Sequence, residues 1–473
     1  MTSTRALWQH DAVHLAALIR AREVSSREVV QAHLDRIAVI NPTVNAITGV
    51  LAESALAAAD RVDAAVGAGR PTGPLAGVPF TVKDNLDVAG EATSDGVPLF
   101  RDRRAADDAP AVANLRAAGA IPFARTNMPE FGMRWHTDNA LHGDTRNPWD
   151  LTRTPYGSSG GEAVALATGA SPLGLGNDYG GSIRLPAAAA GIVGLRPTHG
   201  RVPSASSTSP VPPSLTLQLF AVDGPMARRV ADVAAAYAAL CRPDPRDPQW
   251  VPVPAELPLP DPMTVGVVTD PGGLGVHPEV AAAVRRAADA LADAGVKVVE
   301  QEPPDLIEAA ELWRTLSTAD LGGLLGVMHA HASPGAIGYL EQSITHVSRL
   351  DLDGYLAALG RRHAIASAWS RFTAETHAIL GPVSTRPVPR VPFDLAGPDN
   401  ADALWLAHRL LVAVNLLGLP AISVPAGTTT DGMPQGVQII AGRYQEAVCL
   451  RLAGILEQTA PALTPIDPRA TAR

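Results

Sequence analysis

Two glycine-flanked serine turns, Gly157-Ser158-Ser159-Gly160-Gly161 and Gly180-Gly181-Ser182-Ile183-Arg184, stand on either side of a small, apolar segment at 163–176. Glycines around a serine let the backbone bend sharply and let a substrate carbonyl approach main-chain N–H groups. A hydroxyl held there attacks a carbonyl once a base takes its proton. Upstream, Gly77-Val78-Pro79-Phe80-Thr81-Val82-Lys83-Asp84-Asn85 supplies a candidate base. Lys83 and Lys297 are the two lysines among 38 basic residues. Arginine keeps its proton at biological pH, whereas a desolvated lysine can become a neutral amine. The bland alternative, that Lys83 merely survives an arginine-rich bias, stays open at this point; its apolar setting, 78–82, strengthens the case for a base.

Together these stretches resemble the amidase signature family, hydrolases that use a Ser–Ser–Lys triad whose middle serine carries a cis peptide bond. Carried over, the resemblance implies Ser182 as nucleophile, Ser158 as relay and Lys83 as base. It also implies an oxyanion hole made by the backbone N–H groups of Tyr179, Gly180, Gly181 and Ser182. Further matching blocks run along the chain: Thr126-Asn127-Met128-Pro129-Glu130-Phe131-Gly132, Thr145-Arg146-Asn147-Pro148-Trp149-Asp150, Gly224-Pro225-Met226-Ala227-Arg228 and Gly418-Leu419-Pro420-Ala421-Ile422-Ser423-Val424-Pro425. In similar enzymes the segment 127–149 borders the active site, so Met133 and Trp135, with Gly157, are the expected substrate-lining residues. For His136 and His142 a packing role in that loop is favoured. Asp178 and Arg184 flank Ser182 with opposite charge and are expected to pair and fix its loop, and Ser159 is expected to support the network by hydrogen bonding. The chain departs from the family pattern at Tyr156, Asn177, Tyr179 and Leu185. The last stands where glutamine-dependent amidotransferase subunits often carry glutamine.

Composition narrows the function classes. Charged residues make up 18% of 473, and the net charge of −9 offers no basic surface for nucleic acid or anionic membrane. Cys241 and Cys449 have no neighbouring ligands at metal spacing, so neither a disulfide framework nor a zinc site is expected. The N-terminus lacks the apolar run of a signal peptide, and no segment is long and apolar enough to span a bilayer; a cytoplasmic protein is the expectation. A P-loop needs a lysine after its last glycine, and 84–296 contains none. Gly272-Gly273-Leu274-Gly275 lacks a dinucleotide-binding frame. No cofactor or metal is expected, and the expected partner is a small amide, ester or carbamate (urethane) substrate. The oligomeric state stays open, a homo-oligomer included.

The elements that must hold these residues can be read coarsely. Residues 11–64 read as helices, with a capping box at Ser25-Ser26-Arg27-Glu28 and a stop at Asn41-Pro42. A short apolar strand ends in Lys83, a helix follows at 109–119, and a second strand at 120–125; this alternation indicates a layered α/β fold. Residues 202–213 read as a long loop able to cover the cleft. Then come a helix at 224–241, a proline-rich connector at 242–262, a βαβ-like unit over 264–299 and a mainly helical stretch at 303–380. Strands at 378–382, 421–425 and 436–440, with helices at 401–417 and 447–459, close the chain. The resemblance implies an α/β fold, a large mixed β-sheet covered by helices on both faces, with 1–473 as one domain. Two activities fit: a stand-alone hydrolase cleaving the C–N bond of a small amide, or the amidase subunit of a glutamine-dependent tRNA amidotransferase.

Overall fold

The computed structural model describes residues 5–209, 212–254, 257–322, 325–460 and 462–469. Pro210 and Val211 of the expected loop, Ala255 and Glu256 of the connector, and Gly323 and Leu324 of the helical stretch lie outside them. Eleven strands belong to one sheet: β1 (Ile47–Val50), β2 (Pro79–Lys83), β3 (Ile121–Thr126), β4 (Leu173–Asp178), β5 (Val193–Arg196), β6 (Val222–Ala227), β7 (Thr264–Val267), β8 (Lys297–Glu300), β9 (Ala378–Pro382), β10 (Ala421–Thr428) and β11 (Pro434–Ala441). Their spatial order is β1-β3-β2-β4-β6-β5-β10-β11-β9-β7-β8. The sheet is mixed, with β2 parallel to both β3 and β4 while β6 runs antiparallel to β4 and β5. Helices cover both faces, as a sheet apolar on both sides requires.

This topology brings the chemistry to one edge. Parallel β2 and β4 pair Phe80 with Leu173 and Val82 with Leu175, so the ends carrying Lys83 and Asp178 lie side by side. Every residue of β2 is buried, its apolar members Phe80 and Val82 within the largest core cluster. The helix Gly160–Ala167 follows the first serine turn and is buried along its whole length.

Four local readings are corrected. The helix begun by the Ser25 capping box runs on through Pro42 to Val44 and ends at Asn45 in a left-handed conformation. There the Asn41 side chain accepts from the N–H groups of Ala46 and Ile47, which turns the chain into β1, an edge strand inside the stretch read as helical. Residues 222–227 form β6, and the helix expected from 224 begins at Val230. Gly224 and Pro225 hide this strand, since both are normally excluded from sheet interiors. Finally, the helix read at 401–417 is two, Pro398–Ala407 and Arg409–Leu417, broken at His408.

Candidate active site

Lys83 ends β2 fully buried. Its Nζ lies 2.6 Å from Ser158 Oγ and 2.5 Å from Asn177 Oδ1. Burial lowers its pKa from 10.5 to about 7, against the opposing pull of the buried carboxyls Asp178, Asp223 and Glu162. A neutral amine has one lone pair. With an N–H given to Asn177, that lone pair is available to the Ser158 hydroxyl.

Ser158 is 3% exposed and follows a cis peptide bond from Gly157. Two segments hold this turn in place. Gly157 lies so close to the 134–136 backbone that an added Cβ would stand 2.6 Å from the Arg134 carbonyl oxygen, so its bareness serves close packing. Gly132 passes over Ser158, where a Cβ would be 3.5 Å from Oγ. Met133, half-buried, comes next in the chain.

Ser182 is the outermost of the three, at 9% exposed, and its carbonyl accepts from the Ser159 N–H at 3.2 Å, which joins the two serine turns. The Ser159 hydroxyl donates to the Asn177 carbonyl at 3.3 Å. The Ser182 turn is framed by Asp178. This carboxylate accepts from the Gly181 N–H (2.8 Å), the Ile183 N–H (3.3 Å), Arg184 Nε (3.0 Å) and Asn415 Nδ2 (2.7 Å). Burial alone would raise its pKa, yet Arg184 and Arg196 hold it well below the carboxylate range. Arg184 also reaches Gln438 Oε1 at 2.9 Å and the Leu411 carbonyl at 3.1 Å, locking the turn to β11 and to the helix Arg409–Leu417. The expected pair of Asp178 and Arg184 is present, and Arg196 and Asn415 enlarge it.

One expected oxyanion donor is otherwise engaged: the Gly181 N–H points to Asp178. Among the described residues the N–H groups of Tyr179, Gly180 and Ser182 have no protein acceptor. Three unengaged N–H groups within one four-residue turn suit an oxygen that gains negative charge.

Further side chains surround these groups, and of them Glu162 was not singled out from the sequence. Glu162 is buried behind the base, where it accepts from Thr81 and, at 2.7 Å, from Thr126. Burial pushes its pKa up to about 7. Its signal was a lone carboxyl in an otherwise apolar run. Trp313, from the helical stretch, covers Gly180, where a Cβ would fall 2.7 Å from Cζ2; its Nε1 donates to the Tyr179 carbonyl at 3.2 Å. Trp135 is buried between Trp405 and His408, with ring centroids 5.3 and 4.4 Å away. His136 Nδ1 meets Thr154 Oγ1 at 2.9 Å, in keeping with a packing role. The loop after Val202 is pinned close to the base: Asp87 accepts from Ser206 Oγ (2.9 Å), the Ser207 N–H (2.6 Å) and Thr208 Oγ1 (2.7 Å). No group of His, Cys, Asp or Glu able to hold a metal occurs among the described residues, and no described helix is long and apolar enough to cross a membrane.

The Amidase family profile matches residues 28–450. An indoleacetamide hydrolase of Bradyrhizobium diazoefficiens is 38% identical over 97% of this chain and 88% of its own. A glutamyl-tRNA(Gln) amidotransferase subunit of Acidothermus cellulolyticus is 36% identical over 95% of this chain and 94% of its own. Among solved structures, 6-aminohexanoate cyclic dimer hydrolase complexed with substrate superposes with a TM-score of 0.84 at 29% identity, over 98% of this chain and 99% of that one. The chain is an amidase-type hydrolase and belongs to the amidase family.

Proposed function

We propose that this protein hydrolyses the C–N bond of a small amide through an acyl-enzyme on Ser182. Neutral Lys83 takes the Ser158 proton as Ser158 takes that of Ser182, and the freed oxygen of Ser182 attacks the carbonyl carbon. The N–H groups of Tyr179, Gly180 and Ser182 receive the oxyanion. Collapse of the tetrahedral adduct breaks the C–N bond, and the proton returns by the same relay to the departing amine. Water then repeats the sequence, releasing the acid and restoring the serine. Aryl amides, esters and carbamates present the same carbonyl to the same donors and fall within reach of this machinery.

The observation that carries this reading is the buried Lys83 amine, 2.6 Å from Ser158 with its pKa near 7. A run of aromatic rings beside the Ser182 turn, Tyr179, Trp313, Trp405 and Trp135, favours an acyl group that carries a ring. The relative named indoleacetamide hydrolase fits such a class. The alternative, a component of a glutamine-dependent amidotransferase, draws on the similarity to the Acidothermus cellulolyticus protein; Leu185 in place of glutamine speaks against it. The test is a hydrolysis panel of anilides, arylacetamides, aliphatic amides, carbamates, esters and glutamine, using the isolated chain. Turnover of at least one amide other than glutamine, abolished in Ser182→Ala, is expected. An alanine variant as fast as wild type removes Ser182 from the reaction, and hydrolysis confined to glutamine supports the amidotransferase reading.

A further inference from the structure

Trp313 and Ser317 lie four residues apart on the helix Leu306–Leu321, so one face of that helix presents both. Both are buried, and both reach the same residue of the Ser182 turn. Trp313 Nε1 donates to the Tyr179 carbonyl at 3.2 Å, and Ser317 Oγ lies 2.8 Å from the Tyr179 hydroxyl. The phenolic oxygen is also 2.9 Å from Thr216 Oγ1, so it donates to one hydroxyl and accepts from the other. Thr216 is tied to the same helix, its N–H donating to Asp320 at 2.7 Å. One helix therefore holds Tyr179 by main chain and side chain together. The peptide between Tyr179 and Gly180 is trans, and in a trans peptide the carbonyl and the N–H point in opposite directions. With the carbonyl on Trp313, the Gly180 N–H faces away from the indole, and it has no protein acceptor among the described residues. The next peptide is fixed separately, by the Gly181 N–H donating to Asp178 at 2.8 Å. A hydrogen bond accepted by a peptide carbonyl also polarises that peptide and strengthens its N–H as a donor.

We infer that Trp313 and Tyr179 are positioning residues for the reaction: the indole N–H aims the Gly180 N–H at the oxygen that gains charge, and the Tyr179 phenol anchors that peptide to the helix. Neither side chain touches the reacting atoms in this role. The device uses residues that the family resemblance does not supply, since Tyr179 departs from the family pattern and Trp313 lies outside the matching blocks. The inference rests on the acyl-enzyme reading of Ser182, because an oxyanion forms only when a nucleophile adds to the carbonyl carbon. A donor that is misaimed rather than deleted loses part of the roughly 10²–10³-fold that one such donor contributes to kcat.

The probes are the best amide of the hydrolysis panel and its thioamide, in which sulfur replaces the carbonyl oxygen. Sulfur is larger and accepts hydrogen bonds weakly, so a well-aimed set of donors favours the oxygen substrate. In Trp313→Phe, which keeps a ring and loses the N–H, kcat should fall about tenfold to a hundredfold with KM changed less than about threefold, and the amide-to-thioamide ratio of kcat/KM should shrink by about threefold or more. Tyr179→Phe, which lacks one oxygen, should act in the same direction by about threefold or more in kcat, and it carries the test if Trp313→Phe does not fold. In both variants the acid limb of kcat/KM should keep its midpoint near pH 7, since Lys83 and Ser158 are untouched. Rates within about twofold of wild type in both variants, an unchanged ratio, or a midpoint that moves with the rate overturn the inference. A loss expressed in KM alone overturns it as well, by making Trp313 a wall of the substrate pocket. If Ser182→Ala keeps the wild-type rate, or no amide of the panel is hydrolysed, the acyl-enzyme reading fails and this inference falls with it. Activity lost in Ser182→Ala but kept in both phenylalanine variants removes the positioning role alone.

Discussion

Lys83 shows how a residue's surroundings set its chemistry. An exposed lysine is charged near neutrality and cannot accept a proton, but burial at the end of β2 brings this one to about pH 7. Its folded pKa is depressed below the unfolded 10.5, so the folded state binds fewer protons between about pH 7 and 10.5. The group's contribution therefore improves as pH rises through that window and is least favourable below it. Replacing it with Met, similar in shape and uncharged, should remove this penalty. At pH 7 and below, Lys83→Met is expected to unfold at a denaturant concentration no lower than wild type, while kcat falls about 10²–10⁴-fold. A variant that loses both stability and activity would give Lys83 a structural role. The residue's identity was legible from lysine scarcity, yet its depressed pKa was not, since that depends on the sheet packed around it.

At the scale of the element, the turn from β4 into the helix Arg184–Ala190 carries the Ser182 geometry, and glycine is required where neighbours approach. Gly181 has φ +104°, and a Cβ there would run into Leu411. Gly181→Ala must strain the backbone and push Leu411 aside, so a loss of about 2 kcal/mol or more in stability is expected, with kcat reduced at least tenfold. Equilibrium urea unfolding and steady-state rates check both; a neutral variant would mean that the turn relaxes freely. The glycine pattern around the serines was readable in sequence because it reflects local backbone demands. The engagement of the Gly181 N–H by Asp178 was not, because it arises from a carboxylate whose position is fixed by Arg196 and by Asn415, far along the chain, as well as by the nearby Arg184.

Across the whole molecule, the sheet turns distant segments into one site. Lys83, Ser158, Ser182 and Trp313 come from four stretches, gathered by the parallel pairing of β2 with β4 and the layer packed over their ends. The α/β class followed from periodicity and the family resemblance, as did seven of the described strands; their order in the sheet did not, nor did β4 and β5, which lie in the glycine- and alanine-rich stretch around the serines. What escaped was decided by long-range contact: β6 hidden by Gly224 and Pro225, β1 hidden in a helical stretch, and the break at His408. The contact of Trp313 with Gly180 likewise depends on the helix Leu306–Leu321 packing over the Ser182 turn, which no local pattern encodes.

The most direct test of the account is the pH dependence of kcat/KM for an amide that the wild-type enzyme turns over, measured from pH 5 to 9. The proposed mechanism requires Lys83 to be neutral, so kcat/KM should fall about tenfold per pH unit on the acid side and level off above a midpoint near pH 7. A flat profile, or a midpoint near 4 that reports a carboxylate base, would contradict it.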